Sequence, residues 1–242
     1  MEFRQSRGKA APQSALGKRL LSSLTLERCA AIAIAVSALS TFESCTSRPA
    51  GDRAASIDTT RAAEPAPEVF RVRFETSRGP FVVEAHRAWA PLGVDRFHYL
   101  VQNGFYDDTR FFRVLPGYIA QFGISGNPQT AAMWKERFIR DDTLPHQANS
   151  RGRVSFASAG PQTRTTQLFI DLRDNPTLDQ SYPPIGQIVE GMNVVDSLWT
   201  GYGEGAPNGR GPDQSRLFAE GNRYLALEFP KLDYVKTARI VK

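Results

Sequence analysis

The stretch Phe111-Phe-Arg-Val-Leu-Pro-Gly-Tyr-Ile-Ala-Gln-Phe-Gly123 decides how the rest of the chain is read. It carries two short apolar runs, residues 109–115 and 118–122, on either side of Pro116-Gly117. Runs of that length, rich in aromatic and branched residues, read as β-strands. Within the first run Arg113 stands between Phe112 and Val114. A solvated arginine has no need of such a place, so Arg113 is a candidate functional residue.

Upstream, Val69-Phe-Arg-Val-Arg-Phe-Glu75 alternates, with Phe70, Val72 and Phe74 on one face and Arg71, Arg73 and Glu75 on the other. Ser77-Arg-Gly-Pro80 makes a turn into a second strand over 81–86, giving a hairpin. Pro91 opens a helix in its first turn, Val94, Phe97 and Val101 share one helical face, and Asn103-Gly104 stops it. Downstream, strands are expected at 153–159, 167–171 and 184–189, a second helix at 191–199, and a closing strand at 234–240. Many short strands and two helices, without βαβ alternation, point to an antiparallel barrel or sandwich.

Two further blocks follow the first in order. One is Gly152-Arg-Val-Ser-Phe-Ala-Ser-Ala-Gly-Pro-Gln-Thr-Arg-Thr-Thr-Gln-Leu-Phe-Ile170. The other is Leu178-Asp179 followed by Gly186-Gln-Ile-Val-Glu-Gly-Met-Asn-Val-Val-Asp196. Together the three blocks resemble the cyclophilin-type peptidyl-prolyl cis/trans isomerases over residues 69–242. The resemblance implies a mainly β fold, a closed eight-stranded antiparallel β-barrel capped by two α-helices. It also implies catalysis of rotation about X–Pro bonds.

That reaction needs no covalent catalyst. Rotation breaks amide resonance and meets a barrier of about 20 kcal/mol. A site lowers it by holding the proline ring in an apolar pocket and favouring the twisted amide over the planar one. The proline nitrogen becomes pyramidal and basic as the amide twists, so a fixed donor beside it helps. Arginine offers a rigid, permanently charged fork of donors. By the resemblance, Arg113 is the catalytic arginine and Gln121 hydrogen-bonds the substrate backbone. Tyr118, Ile119, Phe169 and Leu178 wall the proline pocket, with Phe169 at its floor and Gln167 beside it. Ala157, Ser158 and Ala159 pair with the bound peptide. The chain departs from the family pattern at Thr177, where many members carry a tryptophan, at Tyr182, where many carry a histidine, and at Ile185, where a pocket phenylalanine is usual. Tyr182 is kept among the substrate-binding candidates, and weak inhibition by cyclosporin is expected. Taken singly, each apolar member reads as barrel core and Arg113 as a surface ion pair; the joint pattern favours a site.

The chain has 242 residues, 41% hydrophobic and 23% charged, the balance of an ordinary globular protein. Its formal charge of +5 comes largely from residues 1–45, which hold six basic and three acidic side chains. The remainder carries no Lys/Arg run that would track a phosphate backbone, so no nucleic-acid partner is expected. The two cysteines, Cys29 and Cys45, precede the strand-rich region, and the three histidines are widely spaced. Neither a disulfide framework nor a metal site is implied, and no cofactor is expected.

Residues 1–45 read as an export signal. A polar, positively biased segment precedes the uncharged run Cys29-Ala-Ala-Ile-Ala-Ile-Ala-Val-Ser-Ala-Leu-Ser-Thr-Phe42, too short to span a bilayer. Ser44-Cys45 resembles a lipoprotein cleavage site and makes Cys45 a lipidation candidate, while Ala38-Leu39-Ser40 offers an ordinary cleavage site. The location expected is exported, either periplasmic or membrane-anchored through a lipid. Residues 46–68, with three prolines and Ile57 as the one large apolar residue before Val69, read as a disordered linker. The expected partners are proline-containing polypeptides, and the expected state is a monomer. The alternative function is a non-catalytic proline-peptide binding module or holdase. Gly201-Tyr-Gly-Glu-Gly-Ala-Pro-Asn-Gly-Arg-Gly-Pro212 lacks the GKS/T of a phosphate loop and reads as a surface loop leading into a short helical turn.

Overall fold

The computed structural model describes residues 64–143 and 147–242. The export signal, Cys45, the linker through residue 63 and His146 lie outside the described residues. Ala66, placed by sequence in the linker, is buried, and its N–H donates to Asp95 Oδ1 at 2.8 Å.

Eight strands form one antiparallel sheet: β1 (Val69–Thr76), β2 (Gly79–His86), β3 (Arg113–Leu115), β4 (Ile119–Phe122), β5 (Arg153–Phe156), β6 (Leu168–Asp171), β7 (Pro184–Glu190) and β8 (Val235–Val241). Their order across the sheet is β3-β4-β6-β5-β7-β2-β1-β8. Register shifts at Glu75/Thr76, Val82/Val83 and Val154/Ser155 are the bulges that curl it.

The curl stops short of the closed barrel expected from the resemblance; the sheet is an open half-barrel with β3 and β8 as its ends. The segments leading into those strands meet at one bridge, Arg110 opposite Tyr234. The expected strand over 109–115 shrinks to β3 because its two phenylalanines part company. Phe111 enters the main core and Phe112 a second cluster with Leu217, Tyr224 and Leu225. A chain that feeds two cores on successive residues leaves little straight backbone for an edge ladder.

The alternation in β1 does what its pattern demands: Phe70, Val72 and Phe74 are buried, and Arg71 on the other face pairs with Glu84. The helix begun by Pro91, α1 (Pro91–Gln102), buries Val94, Phe97, Leu100 and Val101 against the sheet. Ala90 provides no side-chain cap, and the carboxylate of Asp142 takes that role from 50 residues away. It accepts the N–H groups of Leu92 at 2.8 Å and Gly93 at 3.2 Å.

Where two helices were expected, four more α-helices and a short 3-10 turn (Pro176–Leu178) occur among the described residues: α2 (Pro128–Trp134), α3 (Met192–Asp196), α4 (Gln214–Glu220) and α5 (Asn222–Glu228). The second expected helix is α3, shorter than 191–199 because Gly191 enters it with φ +79° and Ser197 ends it. The expected helical turn after the glycine-rich loop is the pair α4–α5, which with α2 covers the second cluster.

Candidate active site

Residues directly opposed in an antiparallel sheet point to the same face. Across β3, β4, β6 and β5 one opposed row is Val114, Ala120, Ile170 and Val154, all in the main core. The next row is Arg113, Gln121, Phe169 and Ser155, which therefore faces away from that core. Ile119, opposite Asp171, returns to the same face two residues along. Strand period and register thus bring a cation, an amide and an aromatic ring together from three strands.

Over this row lies a cavity of about 310 Å³. Phe169 is its most buried aromatic at 3% exposure, with Tyr182 packed edge-on at 5.5 Å. Tyr118, Ile119 and Leu178 line it with Arg113 and Gln121, and Ala157 and Ser158 complete the rim. Ala159 and Gln167 line an adjoining cavity of about 390 Å³, which shares Gln121, Ala157, Ser158 and Gln214 with the first. The exposed Phe138 and the half-buried Phe218 give that second cavity apolar walls.

Two positions differ from their sequence reading. Ile185 is fully buried in the main core and takes no part in the cavity wall. The stretch 157–159 is not a continuation of β5, which ends at Phe156. There the Ala157 N–H donates to Gln167 O at 2.9 Å and the Ala159 N–H to Thr163 Oγ1 at 2.9 Å. A peptide lying along this edge must use its other backbone groups.

Arg113 is held on both sides. Its Nη1 donates to Gln121 Oε1 at 3.1 Å, while Gln121 Nε2 donates to Gln167 Oε1 at 2.9 Å. Its Nε and Nη2 each donate to one oxygen of Glu204 at 2.6 Å. Those hydrogen bonds hold the Glu204 carboxyl below the usual carboxylate range, against the opposing effect of partial burial.

Residues the sequence did not single out support the rim. Asn149 receives the Ser155 hydroxyl on its Oδ1 at 3.1 Å and donates to Tyr182 O at 3.0 Å. Its backbone N–H donates to Asp179 Oδ1 at 2.7 Å. Asn175 donates to Tyr118 O at 3.1 Å and to Asp171 Oδ1 at 2.6 Å. The loop bearing Leu178 and Tyr182 is thereby fixed to the sheet. Glu204, read only as part of a surface loop, and Gln214, not singled out by sequence, also line the cavity. The contact of Glu204 with Arg113 joins segments 91 residues apart, which no local pattern announces.

Among the described residues no group of three or more His, Cys, Asp or Glu side chains could hold a metal ion. His86 stacks on Trp89 at 4.1 Å and His98 packs edge-on against Phe70 at 4.9 Å, both away from the cavity.

Comparison with known proteins places the chain. The family model described as cyclophilin type peptidyl-prolyl cis-trans isomerase/CLD matches residues 71–212. Peptidyl-prolyl cis-trans isomerase-like 1 of Emericella nidulans is 33% identical over 135 residues, covering 52% of this chain and 80% of that protein. Its namesake in Rhizopus delemar is 34% identical over 133 residues, covering 52% and 78%. Among solved structures, a cyclophilin type peptidyl-prolyl cis-trans isomerase of Cryptosporidium parvum superposes with a TM-score of 0.54 at 22% identity, covering 72% of this chain and 98% of that one. That protein has also been solved in the presence of the dipeptide Ala-Pro.

Proposed function

The chain belongs to the cyclophilin-type peptidyl-prolyl cis-trans isomerases, whose reaction is rotation about the X–Pro bond, and we propose that the cavity over Phe169 is where it performs that rotation. The observation that carries this reading is the shared row of Arg113, Gln121 and Phe169 on the face turned from the core. An apolar floor holds the proline ring by removing it from water. Gln121 fixes the peptide backbone next to it. Arg113 directs its free N–H groups at the proline nitrogen as that atom becomes pyramidal, favouring the twisted amide over both planar forms. No bond to the enzyme forms and no proton need be transferred.

The adjoining cavity, with Phe138 and Phe218 on its walls, accommodates a residue neighbouring the proline. The substrates proposed are therefore peptides several residues long with an apolar flanking side chain. Titrating the isotope-labelled full chain with an Ala-Pro-containing peptide tests the site. Shifts are expected at Gln121, Ala157, Ser158 and Phe169, and Phe169→Ala is expected to weaken binding by about tenfold or more. Shifts confined to another face would contradict the assignment.

We further propose that the clients are exported polypeptides, reached because residues 1–45 direct the domain out of the cytoplasm and Cys45 receives a lipid. The support is the sequence pattern alone: a positively biased segment, an uncharged run and Ser44-Cys45. Expression in a bacterial host with labelled palmitate checks it. Label incorporated by the parent and absent from Cys45→Ser supports anchoring; an unprocessed N-terminus contradicts export.

A further inference from the structure

We propose that Glu204 is the positioning residue for Arg113: its carboxylate sets the plane of the guanidinium and leaves a defined pair of N–H groups for the substrate. The inference rests on the isomerase reading of the cavity and deepens it. A guanidinium has five N–H donors. Glu204 takes one from Nε and one from Nη2, each at 2.6 Å, and Gln121 takes one from Nη1 at 3.1 Å. Two donors remain, one on each terminal nitrogen. Gln121 alone is a single anchor, about which a long, flexible side chain on a three-residue edge strand could still turn. Two parallel charge-assisted bonds along one edge of the fork remove that freedom.

The glycine-rich loop, which sequence reading leaves without a purpose, is built to hold this carboxylate. Glu204 Oε1 also accepts the Gly205 N–H at 2.9 Å, and Glu204 O accepts the Gly211 N–H at 2.8 Å. A Cβ added at Gly209 would stand 2.3 Å from Glu204 O, and one at Gly211 would stand 2.8 Å from it. No other residue lets the loop fold back so closely on Glu204. The ends of the loop are pinned as well. Trp199 N–H donates to Asp233 Oδ2 at 2.7 Å, and Asp213, which caps α4, receives the Arg216 N–H while donating its own to Tyr224 Oη at 3.0 Å.

This geometry argues against a blocking role. A segment that occludes the site would commit all the donors and rest on a loosely held loop, and neither holds here. The pair is also too exposed to be a major support of the fold, with Arg113 at 20% and Glu204 at 36%.

The test compares the full chain with Glu204→Gln and, as a second variant, Glu204→Ala, using exchange NMR of a short X-Pro peptide. The readouts are the exchange rate at saturating peptide, the peptide Kd, the thermal midpoint and the order of the Arg113 Nε–H group. Both variants are expected to lower the saturated rate about 10- to 100-fold and to disorder the Nε–H. Kd should stay within about twofold, the arginine's binding contribution being small beside its orientation, and the thermal midpoint should hold. A rate unchanged or raised in folded variants overturns the proposal: unchanged means no role, raised means that Glu204 obstructs Arg113. A parent chain that fails to accelerate exchange brings down the isomerase reading itself, and the positioning role with it.

Discussion

Asp171 shows how single residues bear the cost of shaping the site. It lies opposite Ile119, fully buried, with Oδ1 bonded to Asn175 and Oδ2 without a hydrogen-bond partner. Burial raises its carboxyl from 3.8 to about 7, with Asp179 and Asp174 adding to the rise and the Asn175 bond opposing it. The folded-state value is the higher one, so its stabilising effect is complete below the unfolded pKa and is lost as pH rises through about 7. Thermal stability should therefore decline between about pH 4 and pH 7, by an amount on the order of 1–4 kcal/mol. Asp171→Asn is expected to flatten that slope, as read from melting curves at several pH values; a slope unchanged by the substitution would remove Asp171 as its source. At the same scale, three of the candidate residues that the resemblance named stand together in the structure. Arg113 and Gln121 sit opposite each other on the two strands of one motif, and Phe169 lies opposite Gln121 on the strand of the next. Glu204, Asn149 and Asn175 were not legible, because the contacts that tie them to the rim, with Arg113, Tyr182 and Tyr118, lie 91, 33 and 57 residues away in the chain.

At the scale of elements, the strands were easier to read than their ends or their closure. Alternation identified β1, and turn residues identified the β1–β2 hairpin, because both signals are local. The closed barrel was not settled by such signals. It depends on how far β3 pairs, and β3 is cut short where Phe111 and Phe112 go to different cores. The helix pair α4–α5 was read as no more than a short helical turn for a related reason: each has seven residues, too few for a clear amphipathic period. Leu217, on α4, is buried in the second cluster beside Phe112. Leu217→Ala should cost about 2–5 kcal/mol, measured by denaturant unfolding. The glycine-rich loop carries its own expectation. Gly209→Ala forces a Cβ against Glu204 O, so it should lower the isomerisation rate more than it lowers peptide affinity. A variant with the parent's rate would show that the loop yields without moving the carboxylate.

At the scale of the described domain as a whole, a buried ion pair ties the loop that bears Arg164 to the start of the helix α1. Arg164 is 1% exposed and donates to Asp142 Oδ2 at 3.0 Å and to the Arg140 carbonyl. Asp142 in turn caps α1 through Leu92 and Gly93. Removing one partner leaves the other charged in a dry setting, so Arg164→Ala is expected to destabilise the protein by roughly 3–5 kcal/mol. A loss well under 1 kcal/mol in equilibrium unfolding would mean that water reaches the pair. The most direct measurement is exchange NMR of a short X-Pro peptide with the full chain and its Arg113→Ala variant. Acceleration by the parent, reduced about 10²- to 10³-fold in the variant with the peptide still bound, is the predicted result. Equal acceleration by both would contradict the placement of catalysis at Arg113, and binding without acceleration by the parent would make the cavity a proline-peptide binding module.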